Sequence, residues 1–174
     1  MAWTIDPSHT NVTFSVRHMM ISTVRGQFHK VSGTVDFNPE NPATSSIDVK
    51  IDTASVDTRD EKRDGHLKSP DFFDAEKFPV MEFKSAKIEE LSKTHGKVHG
   101  DLTIRGVTKP VTLDVEYNGT QKAPWGTTSA GFTATAKIHR KDWGLNWNAA
   151  LETGGVLVGE DVKIEIDAEL VQQA

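Results

Sequence analysis

With 174 residues, 36% of them hydrophobic and 26% charged, the chain reads as one globular domain, large enough to bury a core without disulfide or metal staples. A net charge of −5 with no basic stripe argues against a nucleic-acid surface, and the lack of cysteine excludes disulfides, thiolate zinc and cysteine nucleophiles. No run of about 18 apolar residues occurs, so no membrane-spanning helix is expected.

The opening, Met1-Ala2-Trp3-Thr4-Ile5-Asp6-Pro7, has no basic segment followed by an apolar core. The expected compartment is therefore the cytoplasm, or the periplasm if Met1-Ala2 replaced a leader. Period-2 alternation begins at Val12, Phe14, Val16 and His18, with Thr13, Ser15 and Arg17 on the other face. Val31, Gly33, Val35 and Phe37 continue it until Asn38-Pro39-Glu40-Asn41-Pro42 breaks it. Ile47, Val49 and Ile51 then alternate with Asp48, Lys50 and Asp52.

The stretch 57–79 departs from this pattern. Residues 59–64 are all charged and suit a solvated helical turn. Ser69-Pro70-Asp71 has the signature of a second helix start, with Ser69 as N-cap and Pro70 in the first position. Leu67, Phe72, Phe73 and Phe78 supply an apolar side, so two short helices are expected over one end of the sheet.

Alternation resumes at Met81 and Phe83, then at Val98, Gly100, Leu102 and Ile104. Arg105-Gly106-Val107-Thr108-Lys109-Pro110 reads as a hairpin connection. Val111, Leu113, Val115 and Tyr117 run back. Ala130, Phe132, Ala134, Ala136 and Ile138 mark a long strand, and Val162, Ile164, Ile166, Ala168 and Leu170 the last. About eight strands result, each with one apolar face. The fold class is all-β, and such a sheet hides its apolar faces by closing into a barrel or stacking as a sandwich.

Two features favour a cavity inside. The strand from Thr127 to His139 is long, about 43 Å at ~3.3 Å per residue. Its inward line also carries the small Ala130, Ala134 and Ala136. A core filled by Phe and Trp from facing strands is the alternative.

Signals of catalysis and metal binding are sparse. His95 and His99 are four apart, but on a strand that is roughly 13 Å, so no metal site is expected. There is no Gly-x-Ser-x-Gly elbow and no phosphate-cradling glycine motif. Residues 154–159 contain three glycines but no lysine, and read as a loop or bulge. No catalytic residue is assigned, and no cofactor is expected. Candidate ligand contacts are the inward His18, the 57–79 stretch with Arg59, Arg63 and Phe72, and Arg140-Lys141-Asp142-Trp143-Gly144-Leu145-Asn146-Trp147-Asn148. The last has an apolar body and a polar rim, or else its tryptophans plug a barrel end.

Several blocks, in order, resemble the polyisoprenoid-binding, lipocalin-like YceI family. They are Trp3-Thr4-Ile5-Asp6-Pro7-Ser8-His9-Thr10 with Phe14-Ser15-Val16-Arg17-His18, then Val24-Arg25-Gly26-Gln27-Phe28, then Asp64-Gly65-His66-Leu67-Lys68-Ser69-Pro70-Asp71-Phe72-Phe73-Asp74 with Phe78-Pro79. Gly100 to Val111, Arg140 to Leu145 and Val158 to Val162 complete the set. The resemblance implies an extended eight-stranded antiparallel barrel with a short helical insert, often dimeric, whose interior tunnel binds a long isoprenoid or fatty-acyl chain. On that reading the tunnel is lined by Val12, Phe14, Val16, His18, Val49, Phe72, Leu102, Leu113, Phe132, Ala134, Ala136, Trp143 and Ile164. Arg59, Arg140 or Asn146 would meet a polar head group. An enzyme acting on such a lipid, and a partner-binding barrel with a filled core, are the rival readings.

Overall fold

The structure, a computed structural model, describes residues 2–152 and 155–172. Eleven strand segments form one sheet: β1 (Ala2–Ile5), β2 (Asn11–His18), β3 (Ser22–Phe28), β4 (Val31–Asp36), β5 (Ser46–Asp52), β6 (Val56–Asp57), β7 (Val80–Glu90), β8 (His95–Ile104), β9 (Val107–Lys122), β10 (Thr128–His139) and β11 (Val158–Gln172). Every pairing is antiparallel.

The order β1-β4-β5-β7-β8-β9-β10-β11 closes through β1–β11 into a ring of eight strands. The eight segments expected from alternation differ from this ring in one member, because the opening strand is split. A short 3-10 turn at Pro7–His9 separates β1 from β2. Both halves line up along β11, where Ile5 faces Leu170 and Phe14 faces Ile164. Beyond the turn, β2 pairs with β3, and β3 with the two-residue β6, extending the wall past the closed ring.

The longest strands run to at least twice the ordinary five or six residues of globular strands: β9 has 16, β11 has 15 and β10 has 12. The β8–β9 connection is only Arg105-Gly106, both at positive φ (51° and 74°), a two-residue hairpin turn. Residues 107–110, expected within the connection, belong to β9 instead.

Missing Cβ atoms admit aromatic rings at two cross-strand places. A Cβ on Gly26 would lie 2.5 Å from the Phe14 ring, and one on Gly100 would lie 2.5 Å from the Phe83 ring.

One helix interrupts the sheet, α1 (Glu61–Lys68), and the second expected helix is not formed. Asp60 caps α1 by accepting from the Lys62 and Arg63 amides at 3.1 and 3.2 Å. Ser69 sits at its C-terminus, where its Oγ donates to the His66 carbonyl. Residues 70–77 then wind in turns tied back to the helix end by Phe73 N–H to Leu67 O and Ala75 N–H to Lys68 O. No helix among the described residues is long and apolar enough to cross a membrane.

Candidate functional site: an apolar barrel cavity

The core does not fill the barrel. A cavity of about 1020 Å³ runs through it, walled by the inward residues of the ring strands and of β2. Aliphatic and aromatic side chains make up its middle: Val12, Phe14, Ile51, Met81, Leu102, Leu113, Phe132, Ala134 and Ile164 among them. Polar and charged groups gather at the two ends. At the far end lie Glu40, Glu89, Glu90, Lys93, His95 and Lys97, on the loop after β4 and at the β7–β8 hairpin. At the α1 end lie Arg17, His18, Lys62, Arg63, His66 and Arg140. Every ionisable group lining the α1 end is therefore basic, among the described residues, whereas the acids all belong to the far end.

The α1 end is framed by aromatic rings. The His66, Phe72 and Trp147 rings meet one another at centroid distances of 4.5–5.6 Å. His66 Nε2 lies 2.8 Å from the Asp71 carboxylate, which fixes the ring. A second series, Phe14–Phe28–Phe73, runs from β2 and β3 to the turn after α1 at 5.5 and 5.7 Å. Beside the far end, Trp3, Phe37, Tyr117 and Phe132 form a separate packed cluster with Val35, Ala130 and Leu170.

All but two of the residues expected to line the tunnel do line the cavity: Val12, Phe14, Val16, His18, Val49, Phe72, Leu102, Leu113, Phe132, Ala134 and Ile164. The exceptions are Ala136 and Trp143. Trp143 is 2% exposed, and its Nε1 donates to the Leu102 carbonyl at 2.9 Å, so the indole is packed into the core with Leu102, Ile104 and Ile138 rather than lining the cavity. Ala136 shares the right strand face but lies in the packed cluster with Trp143 and Leu145.

The expected head-group residues fare differently again. Arg59 and Asn146 are exposed and do not line the cavity. Arg59 sits in a left-handed turn, φ 65°, where its amide donates to Asp57. Arg140 does border the cavity, but its guanidinium is committed to the main chain. It donates to the carbonyls of Gly159 (2.8 Å), Leu145 (2.5 Å), Trp147 (2.9 Å) and Val158 (3.3 Å). It is 3% exposed, and burial pushes its pKa down from the usual guanidinium value. Arg140 is thus a clip that ties Leu145 and Trp147 to the start of β11, while Arg63 takes the position toward the cavity that had been expected of Arg59. Arg63 itself is steadied by Thr58, through Nε to Oγ1 at 2.8 Å and Nη2 to the carbonyl at 2.7 Å.

Trp147 was expected as a contact only as part of the 140–148 stretch, and His66 was not singled out within 57–79. Their signal was available in part: both lie inside segments that break the strand pattern and carry aromatic residues. Gly154, part of the glycine-bearing stretch, lies outside the described residues. The remaining histidines do not gather around an ion. His95 Nδ1 pairs with Thr94 Oγ1 and His99 Nδ1 with Thr112 Oγ1. Among the described residues the one converging trio is Asp6, His9 and Glu169. Its members are bonded to each other, at 2.8 and 3.2 Å from His9 Nδ1, and none lines the cavity.

Comparison with known proteins follows the geometry. The chain is 40% identical to a UPF0312 protein of Staphylococcus aureus over 168 residues, covering 96% of this chain and 95% of the relative. Among solved structures it is similar to Burkholderia cenocepacia BcnA, with TM-score 0.83 and 25% identity over 95% of this chain and 98% of that one. It is similar also to the Campylobacter jejuni YceI protein, with TM-score 0.77 and 34% identity over 91% and 90%. A polyisoprenoid-binding domain from Saccharophagus degradans shares the fold, with TM-score 0.67 and 15% identity over 97% of both chains. Residues 3–170 match the YceI-like domain, and the chain belongs to that family.

Proposed function

We propose that this barrel binds, stores or carries one long apolar chain, a polyisoprenoid, an isoprenoid quinone or a fatty-acyl lipid, without reacting with it. The observation that carries the reading is the division of the cavity into an apolar middle and polar ends. At about 30 Å³ per group, the volume of one water in the liquid, 1020 Å³ has room for roughly thirty methylene-sized groups. Twenty such groups leaving water gain about 16 kcal/mol at about 0.8 kcal/mol each. That exceeds the about 4–15 kcal/mol cost of association and leaves a net favourable term. A chain in this space also gives the wall dispersion contacts that it otherwise lacks.

The S. degradans domain, of the same fold, is described as polyisoprenoid-binding. Ligand class in this chain rests on the cavity rather than on that distant likeness. A barrel built only as a scaffold would have its interior closed by large side chains, which the cavity volume argues against.

The test is organic extraction of the purified protein followed by mass spectrometry. A long-chain isoprenoid or acyl lipid in near-stoichiometric amount is expected. Protein that yields no lipid and also ignores prenyl and acyl probes contradicts the proposal. Turnover of an added lipid on incubation would replace the carrier by an enzyme.

A further inference from the structure

The β2–β3 hairpin ends in an unusual tip. Met19, Met20 and Ile21 are consecutive, and are 41%, 58% and 78% exposed. The Ile21 amide donates to the His18 carbonyl at 3.2 Å, closing a two-residue turn whose central residues, Met19 and Met20, have φ of 52° and 64°. A turn with two left-handed residues suits Asn-Gly or Gly-Gly. Here it holds two long, partly exposed thioether side chains, the Met20 sulfur lying over Gly155, a choice that backbone geometry does not favour.

The tip is continuous with the α1 mouth of the cavity. Met19 N–H donates to the Leu157 carbonyl at 2.8 Å, and both Leu157 and His18 line the cavity. Val156, also exposed, extends the apolar patch. Arg17 stands at the base of the turn, with its guanidinium donating to the Met20 carbonyl and to Thr23 Oγ1, each at 3.2 Å. Lys62 and Arg63 of α1 lie at the same mouth.

We infer that the Met19-Met20-Ile21 turn is a membrane-seating tip, which enters the surface of an anionic bilayer and sets the basic α1 mouth against the headgroups. Apolar side chains ringed by cations fit that interface, because the chains enter the acyl boundary while the charges meet lipid phosphates. A second copy of the chain fits poorly. A two-fold contact through this patch would bring two copies of the same basic mouth, with Arg17, Lys62 and Arg63, into one interface. The opposite end also exposes apolar groups, Trp125 and Leu91, but there the cavity lining mixes the acids Glu40, Glu89 and Glu90 with Lys93, His95 and Lys97, so it lacks the one-sign basic lining of the α1 mouth. Resting on the carrier reading, the seated mouth lets a chain pass between bilayer and barrel without crossing water.

The experiment is co-sedimentation of the full chain with vesicles of phosphatidylglycerol and phosphatidylcholine in equal parts, and of phosphatidylcholine alone. Binding is expected on the mixed vesicles and should weaken as salt is raised. Met20→Ser with Ile21→Ser should lower the partition coefficient by about tenfold or more, the effect of exposing one or two side chains of that size. Met19→Asn with Met20→Gly supplies the residues that the turn prefers, so its expected loss of vesicle binding comes without loss of thermal stability. Trp125→Ser should bind like the unaltered chain.

The inference is overturned if both tip variants bind vesicles normally, if Trp125→Ser is the variant that detaches, or if the tip variants abolish a dimer in sedimentation equilibrium and leave vesicle binding unchanged. Fluorescence titration with cis-parinarate in solution separates the two claims. A chain that binds the probe but ignores vesicles has lost the tip alone, whereas one that seats on vesicles through the tip and ignores the probe has lost the carrier reading alone.

Discussion

The His66 ring stands edge-on to the Trp147 indole, with centroids 4.5 Å apart and planes at 87°. This one contact joins α1 to the segment held by the Arg140 clip, since the Trp147 carbonyl is one of the oxygens that Arg140 binds. The mouth of the cavity is therefore closed on one side by a helix and on the other by a loop whose position depends on a buried cation.

Trp147→Ala removes that contact and the one to Phe72. An aromatic pair contributes about 0.5–1.5 kcal/mol beyond its buried area. Release of bound cis-parinarate, followed by stopped-flow fluorescence, should accelerate roughly two- to tenfold with little change in melting temperature. An unchanged release rate would show that this aromatic frame does not gate the mouth.

Arg140→Met strands the carbonyls of Leu145, Trp147, Val158 and Gly159, which now share one guanidinium. The expected loss of stability is about 3–5 kcal/mol, as for removal of one partner from a buried charged network. Arg140→Lys should rescue little, because a point charge with three donors cannot replace the planar fork. Denaturant unfolding reads both variants, and full stability in Arg140→Lys would argue against the clip.

Ala134 faces the cavity from β10, opposite Val115 and Ile166. Ala134→Trp should cut the amount of chain bound per barrel while the fold survives, with a stability cost of about 1–3 kcal/mol for the added bulk. Probe titration and circular dichroism together check this. Undiminished capacity in a folded variant would place the ligand elsewhere.

The strand faces were legible because side chains on a strand alternate with period 2, so one register error would have reversed every assignment. Depth along the barrel was not. Ala134 and Ala136 share a face, yet one borders the cavity and the other packs in the cluster with Trp143. The two differ in depth along the barrel, of which alternation carries no trace. Of the two expected helices, the one over the charged stretch formed and the one at Ser69 did not, for a local reason. Asp60 caps the first because its carboxylate reaches two amides, while Ser69 Oγ accepts only from the Asp71 amide and donates back to His66, ending α1. Arg140 was visible as a basic residue beside tryptophans, but its four carbonyl partners come from the 145–147 loop and the start of β11, which only the fold brings together.

His9 gives the fold a modest pH dependence. Its pKa is raised, first by the hydrogen bond to Asp6 and then by the charges of Glu169 and Asp6, while Asp6 is lowered, first by His9 and then by Ser8. The raised imidazole stabilises the fold below its ordinary range and loses that effect as pH rises through the raised value. The lowered carboxylate stabilises it above its ordinary range and loses that effect as pH falls. The pair is therefore strongest from about pH 4 to about pH 6.5. The melting-temperature difference between the unaltered chain and His9→Gln should peak in that window and shrink with added salt. A difference constant across pH would contradict the pairing.

The central claim is that a long chain lies in the cavity, and a chain-length series measures it directly. Calorimetric titration with prenyl alcohols or fatty acids of increasing length should show affinity rising by up to about 0.8 kcal/mol per added CH₂-sized group. It should then level off once the apolar middle is full. Affinity that ignores chain length, or that never levels off, would contradict a bounded cavity as the binding site.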